Sequence, residues 1–250
     1  MITFYFYKKL LISAVLVILF YKMCRPAILN VSEIISKKYN FCRNYPLLKI
    51  TGVINFVLIS ISNLLLAVIL LVITHTSFQK IGLSFSFISL HIIFYGLLLG
   101  VGIAGISALG CQLITTIFQS KLFACGLLKS NGSNFSARST WLKNHHNAKE
   151  ILSRPVWLLI LFFQLFSEEV IFRGTYLNYF LPFGTVLGIM VSAGLFICMK
   201  YISMPSLENA VFPMISAAAM GIMHGYLFCL IPTIYPLIIS HCVFFVFVLL

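Results

Sequence analysis

The sequence predicts an all-α, polytopic membrane protein of about seven transmembrane helices, and three observations carry that prediction. Hydrophobic residues make up 61% of the 250 residues and charged residues 9%. A soluble domain carries roughly a quarter charged residues, so this chain cannot cover a water-facing surface. Apolar runs recur at the length of about 20 residues that a spanning helix needs. The basic residues fall between those runs, where they act as topological signals.

The runs are taken in chain order. The first, 3–23, holds Lys8 and Lys9 and leads into "FYKMCRP" with no small-residue cleavage site, so it reads as a retained span or signal anchor. Residues 24–49 form a basic loop with Arg25, Lys37, Lys38, Arg43 and Lys49. A second span covers 50–74, followed by a connection, 75–85, whose one basic residue is Lys80. The third run, 86–118, is long enough to tilt, bend or be two pieces. Its Gly96 and Gly100 form a G-x-x-x-G that allows close helix approach, a packing role. Residues 119–154 form a second basic loop, with a flexible linker, "LLKSNGSNFSARST", at 127–140. Spans at 155–180, 183–203, 208–230 and 232–250 follow, with short connections at Pro182 and at 230–232.

The chain thus divides into an N-terminal transmembrane part (1–118, about three spans), a basic cytoplasmic loop (119–154) and a four-helix C-terminal bundle (155–250). With both basic loops in the cytoplasm, seven spans put the N-terminus outside and the C-terminus inside. The sequons at Asn131 and Asn134 then lie in a cytoplasmic loop and carry no meaning. A net charge of +12 would suggest nucleic acid in a soluble protein. Here it is topological, and no nucleic-acid partner is expected. Seven scattered cysteines with no C-x-x-C argue against a disulfide framework or a zinc ribbon. His75 and His91 read as interfacial or packing residues, and His145 and His146, in "KNHHNAK", as solvated loop residues.

The chain has five acidic residues, and two of them are adjacent in "QLFSEEVIFRGTY", inside an apolar run. A charge at a helix centre costs about 2.5–3.5 kcal/mol on insertion scales. Glu169 and Arg173 are spaced i, i+4 with the acid first, the favourable order for a helical ion pair. Glu168 lies about 100° from Glu169 and about 140° from Arg173 around the helix. One carboxylate is therefore neutralised by the arginine and the other faces elsewhere. A cluster tying helices together would need only the pair. The spare carboxylate is a candidate general base or ion relay.

"EEVIFRG" resembles the first motif of the CAAX-prenyl endopeptidase and bacteriocin-processing (CPBP, or Abi) membrane proteins, and the resemblance covers roughly 150–250. Their second motif, F-x-x-x-H, falls on "SAGLFICMK", where Phe196 matches and Lys200 stands in place of the histidine. A rival placement ends at His224. It leaves 17 residues from His224 to His241, too few to finish one helix, turn and half cross again. Lys200 is therefore taken as the second-motif position, with His224 an additional polar residue one helix on. In the third motif His241 matches and Phe245 occupies the place of an Asn or Asp.

The resemblance implies hydrolysis of a peptide bond in a membrane-associated substrate, prenylated or leader-bearing, by glutamate-activated water. Glu168 would be the base, Glu169 and Arg173 the orienting pair, and His241 an oxyanion donor. A desolvated carboxylate is a stronger base, and donors aimed at the oxyanion supply much of the rate. Lys200 near Glu168 would oppose this. It could instead serve as a neutral base or snorkel to the interface. Phe245 cannot donate a hydrogen bond. No cofactor and no metal are expected. The alternatives are a catalytically impaired relative that binds or scaffolds a membrane partner, and a small ion-coupled carrier using Glu168. The expected setting is the inner membrane of a bacterium, with the lipid bilayer and a peptide or membrane protein as partners.

Overall fold

The computed structural model describes residues 2–39, 45–83, 89–124, 140–204 and 206–249, and within them the chain is helical with no strand. Helix α1 (Ile2–Tyr39) and helix α2 (Leu47–Ile73) form the first hairpin. Helix α3 (Leu90–Ala124) is a single unbroken piece. A short helix, α4 (Thr140–Ile151), precedes α5 (Arg154–Glu169). Helix α5 continues through a π-helical segment, Val170–Leu177, and ends in a turn over Asn178–Phe180 and Leu181–Phe183. Helices α6 (Thr185–Ile202), α7 (Leu207–Leu230) and α8 (Tyr235–Leu249) complete the chain.

Among the described residues, six helices are long and apolar enough to cross a membrane, and α8 is a shorter apolar helix. At 1.5 Å per residue, the 15 residues of α8 reach roughly 22 Å, against a hydrocarbon core of about 30 Å. The seventh expected span is present, over the described residues, as this shorter apolar helix.

Two expectations are corrected. The basic loop expected from residue 24 is helical up to Tyr39. Toward its end the charges lie outward: Glu33, Lys37 and Lys38 are exposed, while Ser32 and Ser36 are buried. Ser36 also bonds Thr51 at 2.8 Å, tying α1 to α2. Counting charge along the sequence missed this amphipathic pattern. The second basic loop, expected over 119–154, contains the last turn of α3 and all of α4. Helix α4 lies so close to α2 that a Cβ on Gly52 would come 2.9 Å from Asn147 Nδ2 and 3.1 Å from Asn144 Oδ1. Residues 125–139, most of the expected linker, lie outside the described residues, as does the segment holding Asn131 and Asn134.

The G-x-x-x-G of α3 packs on α8. A Cβ at Gly96 would sit 2.8 Å from the Pro236 carbonyl oxygen, and one at Gly100 2.6 Å from that of Ser240. Helices α6 and α7 make the same kind of contact where Gly221 meets Ala193, at 2.7 Å from such a Cβ. At the opposite end from the basic segments, Thr233 Oγ1 donates to the Gly82 carbonyl and Asn178 Nδ2 to that of Lys80. The connections after α2, α5 and α7 are thereby joined. Gly184, at φ 125°, makes the turn into α6, a conformation that a side chain would strain.

Candidate functional site

The two glutamates fall at the end of α5, where the helix widens into its π segment. Thr175 Oγ1 donates five residues back, to the Val170 carbonyl, and Ser192 Oγ of α6 donates to the Phe172 carbonyl at 2.6 Å. The loosened ladder is thus satisfied from a neighbouring helix, which fixes how α5 and α6 face each other. Glu168, Glu169 and Arg173 are all buried, Arg173 completely.

Glu169 is the hub of the cluster. Arg173 Nη1 lies 3.4 Å from Glu169 Oε2, the i, i+4 contact expected. Two histidines also reach it. His241 Nδ1 is 2.7 Å from Oε1, and His224 Nδ1 is 3.1 Å from Oε2. A carboxylate only accepts, so each histidine donates from Nδ1. His224 Nε2 then accepts from the Ser240 hydroxyl at 2.9 Å. His241 Nε2 is left turned toward Glu168 Oε2, 3.8 Å away, too far for a direct bond. In the neutral imidazole that nitrogen is an acceptor; it donates only if the ring takes a second proton.

Glu168 faces away from this hub, as the helical wheel requires, but it is not free. Lys200 Nζ donates to both of its oxygens, at 2.9 and 2.7 Å. The ammonium therefore turns inward from α6 and does not snorkel. It also lies 5.0 Å from the centre of the Phe196 ring, whose centroid is 4.5 Å from the Arg173 guanidinium carbon. Phe196 thus packs against both cations.

The structure brings together all the residues singled out from the sequence in this region: Glu168, Glu169, Arg173, Phe196, Lys200, His224, His241 and Phe245. His224 contacts Glu169 and Lys200 contacts Glu168; the 17 residues from His224 to His241, expected to be too few, do finish α7, turn and start α8, which is a correction. Phe245 is buried with its ring centre 5.5 Å from that of His241, so an apolar ring stands beside the histidine. His75 and His91 are exposed and take no part.

His145 is a correction. It is not solvated: α4 carries it inward, where it is buried at 4% exposure with its ring 4.6 Å from Phe56 and 5.4 Å from Phe245. Burial, helped by Lys200 and His146, pushes its pKa down to about 3, so it is neutral at physiological pH. Its neighbour His146 is exposed, as expected. The usable signal was helical spacing in "WLKNHHNAKEI", where His145 and Ala148 share a face. Ser240 and Ser192 were also missed, since serines in apolar helices have no pattern of their own.

Glu168, Lys200 and His241 line a cavity of about 110 Å³. Tyr21 and Arg25 of α1 and His145 of α4 close its other walls. The N-terminal part of the chain therefore completes the chamber that the C-terminal bundle begins. Among the described residues, no group of three His, Cys, Asp or Glu side chains is set to hold a metal ion.

Comparison with known families agrees with the C-terminal part of this picture. Residues 150–247 match the family model described as type II CAAX prenyl endopeptidase Rce1-like. The resemblance read from "EEVIFRG" is therefore borne out over this segment, which is less than half of the chain. No curated protein and no solved structure matches the chain.

Proposed function

Taking residues 150–247 as a CPBP-type core, we propose that this membrane protein binds a membrane-associated peptide or protein segment without hydrolysing it, because Lys200 holds the reacting carboxylate. The observation that carries this reading is the pair of bonds from Lys200 Nζ to Glu168, at 2.9 and 2.7 Å. A general base needs a lone pair aimed at the water whose proton it takes. An ammonium bonded to both oxygens occupies the lone pairs that such a water would have to meet. Phe245 adds to this, since its ring supplies no donor for an oxyanion next to His241. The cavity itself remains, lined by apolar side chains from several helices, so a binding role survives the loss of chemistry. The sequence fits the inner membrane of a bacterium, with both basic segments on the cytoplasmic side.

Hydrolysis is the second reading, and one observation favours it. The 3.8 Å gap between His241 Nε2 and Glu168 Oε2 has the span of a single bridging water. The test uses an internally quenched farnesylated peptide as probe. Wild type is expected to show no turnover above Glu168→Gln. The double variant Lys200→His with Phe245→Asn is expected to gain turnover, and Glu168→Gln in that background should abolish it. Turnover by wild type that Glu168→Gln removes would sink the binding-only reading in favour of hydrolysis.

A further inference from the structure

Among the described residues, one cation that lines the cavity has no matching carboxylate. Glu168 is matched by Lys200 and Glu169 by Arg173. Arg25 also lines the cavity, and its Nη1 is buried without a hydrogen-bond partner. The chain has five acidic residues. Besides the two in the site, Glu150 pairs with Lys49 at the surface. Glu33 is exposed on α1 itself, eight residues and about 12 Å further along the helix. The side chain of Glu208 lies outside the described residues. No described carboxylate answers Arg25.

Arg25 as a whole is half-buried; an arginine is always ionised, and a cation partly withdrawn from water with no counter-charge is costly. The position is not incidental to the wall, because Tyr21, Cys24, Arg25 and Ile28 all line the cavity at helical spacing. One face of α1 is turned inward with the guanidinium in its middle. The rest of the lining beside it is largely apolar, with Phe20, Phe56, Phe212 and Phe244 among it. A planar guanidinium suits a carboxylate or a phosphate, which it binds in a two-pronged fashion. One water needs about 10–15 Å³ of such volume, so a cavity of about 110 Å³ holds an ionised head group and some of its hydration.

We infer that the cavity takes an amphiphile with one anionic group, a carboxylate or a phosphate, seated on Arg25 with its apolar chain among the phenylalanines. This rests on the reading of the cavity as a binding site and names the chemical class of its occupant. Lys200 does not supply the anchor, since its ammonium is already spent on Glu168.

The experiment measures binding of palmitate, hexadecyl phosphate and hexadecanol to the full chain in dodecyl maltoside, by calorimetry and by thermal shift. At least one anionic probe should bind about tenfold more tightly than the alcohol, the effect of one hydrogen bond to a charged group. Palmitate alone showing the advantage assigns a carboxylate head, and hexadecyl phosphate alone a phosphate head. Arg25→Gln should erase the advantage. Arg25→Lys should keep part of it, which guards against a folding defect, and Lys37→Gln at the exposed end of α1 should keep all of it. An alcohol that binds as tightly as both anions overturns the inference, as does Arg25→Gln retaining the preference. Neither result bears on hydrolysis, whereas peptide turnover by wild type would overturn the binding-only reading and leave the anion preference standing.

Discussion

Replacing Lys200 with Met removes both bonds to Glu168 and leaves a carboxylate at 2% exposure with no cation. Removing one partner of a buried pair costs about 3–5 kcal/mol, because the remaining charge is stranded. Lys200 is 16% exposed, so part of that cost is screened and about 3 kcal/mol is the working figure. At about 2–4 °C per kcal/mol for a chain of this size, Lys200→Met should lower the midpoint of thermal unfolding by roughly 6–12 °C in detergent. Adding Glu168→Gln should recover much of the loss, since a neutral amide in place of the carboxylate is far cheaper to bury. The assay is a double-mutant cycle of wild type, the two single variants and the double variant, followed by differential scanning fluorimetry and denaturant unfolding. The coupling should exceed about 1.5 kcal/mol, beyond what an exposed pair gives. A coupling below about 0.5 kcal/mol would show that Lys200 and Glu168 do not hold each other, and the reasoning about a disarmed base would go with it.

Gly100→Ala should destabilise by about 1–3 kcal/mol through overpacking, since the new methyl would meet the Ser240 carbonyl at 2.6 Å. Gly102→Ala, with nothing within 4 Å, should lack that penalty; unfolding midpoints of the two variants side by side check this. His145 makes stability depend on pH. It titrates near 6.5 when unfolded and about 3 when folded, so the unfolded chain takes the proton first and stability falls as pH drops through that window. Between pH 7.5 and pH 5 the loss from this group is about 2 kcal/mol, and it should disappear from the pH profile of His145→Leu. His224→Phe should leave the Ser240 hydroxyl and one oxygen of Glu169 without that partner and destabilise by about 1–3 kcal/mol. Ser240→Ala should cost less, because it removes a single neutral bond.

Much of the fold was legible because a membrane leaves few options. Long apolar runs must be helices that satisfy their own backbone groups, and among the described residues each of the six helices long enough to span contains or overlaps the run that announced it. What was not legible were helices with mixed faces. The end of α1 and the whole of α4 carry enough lysine, asparagine and serine to read as loops, and they become helices because one face of each packs on α2. The site divides along the same line. The Glu169–Arg173 pair follows from spacing within one helix. The contacts of Glu169 with His224 and His241, and of Glu168 with Lys200, depend on how four helices meet. His145 lies on a segment whose composition pointed to solvent, and Arg25 in one counted only for its charge. Spacing along a helix is written in the sequence, whereas the partner across an interface is set by packing.

The central claim is that Glu168 is held as an ion pair and does not serve as a base. The most direct measurement is the turnover of the quenched farnesylated peptide by purified wild type compared with Glu168→Gln, at equal concentration in the same detergent. The two rates should be indistinguishable. A wild-type rate well above that of Glu168→Gln would contradict the claim.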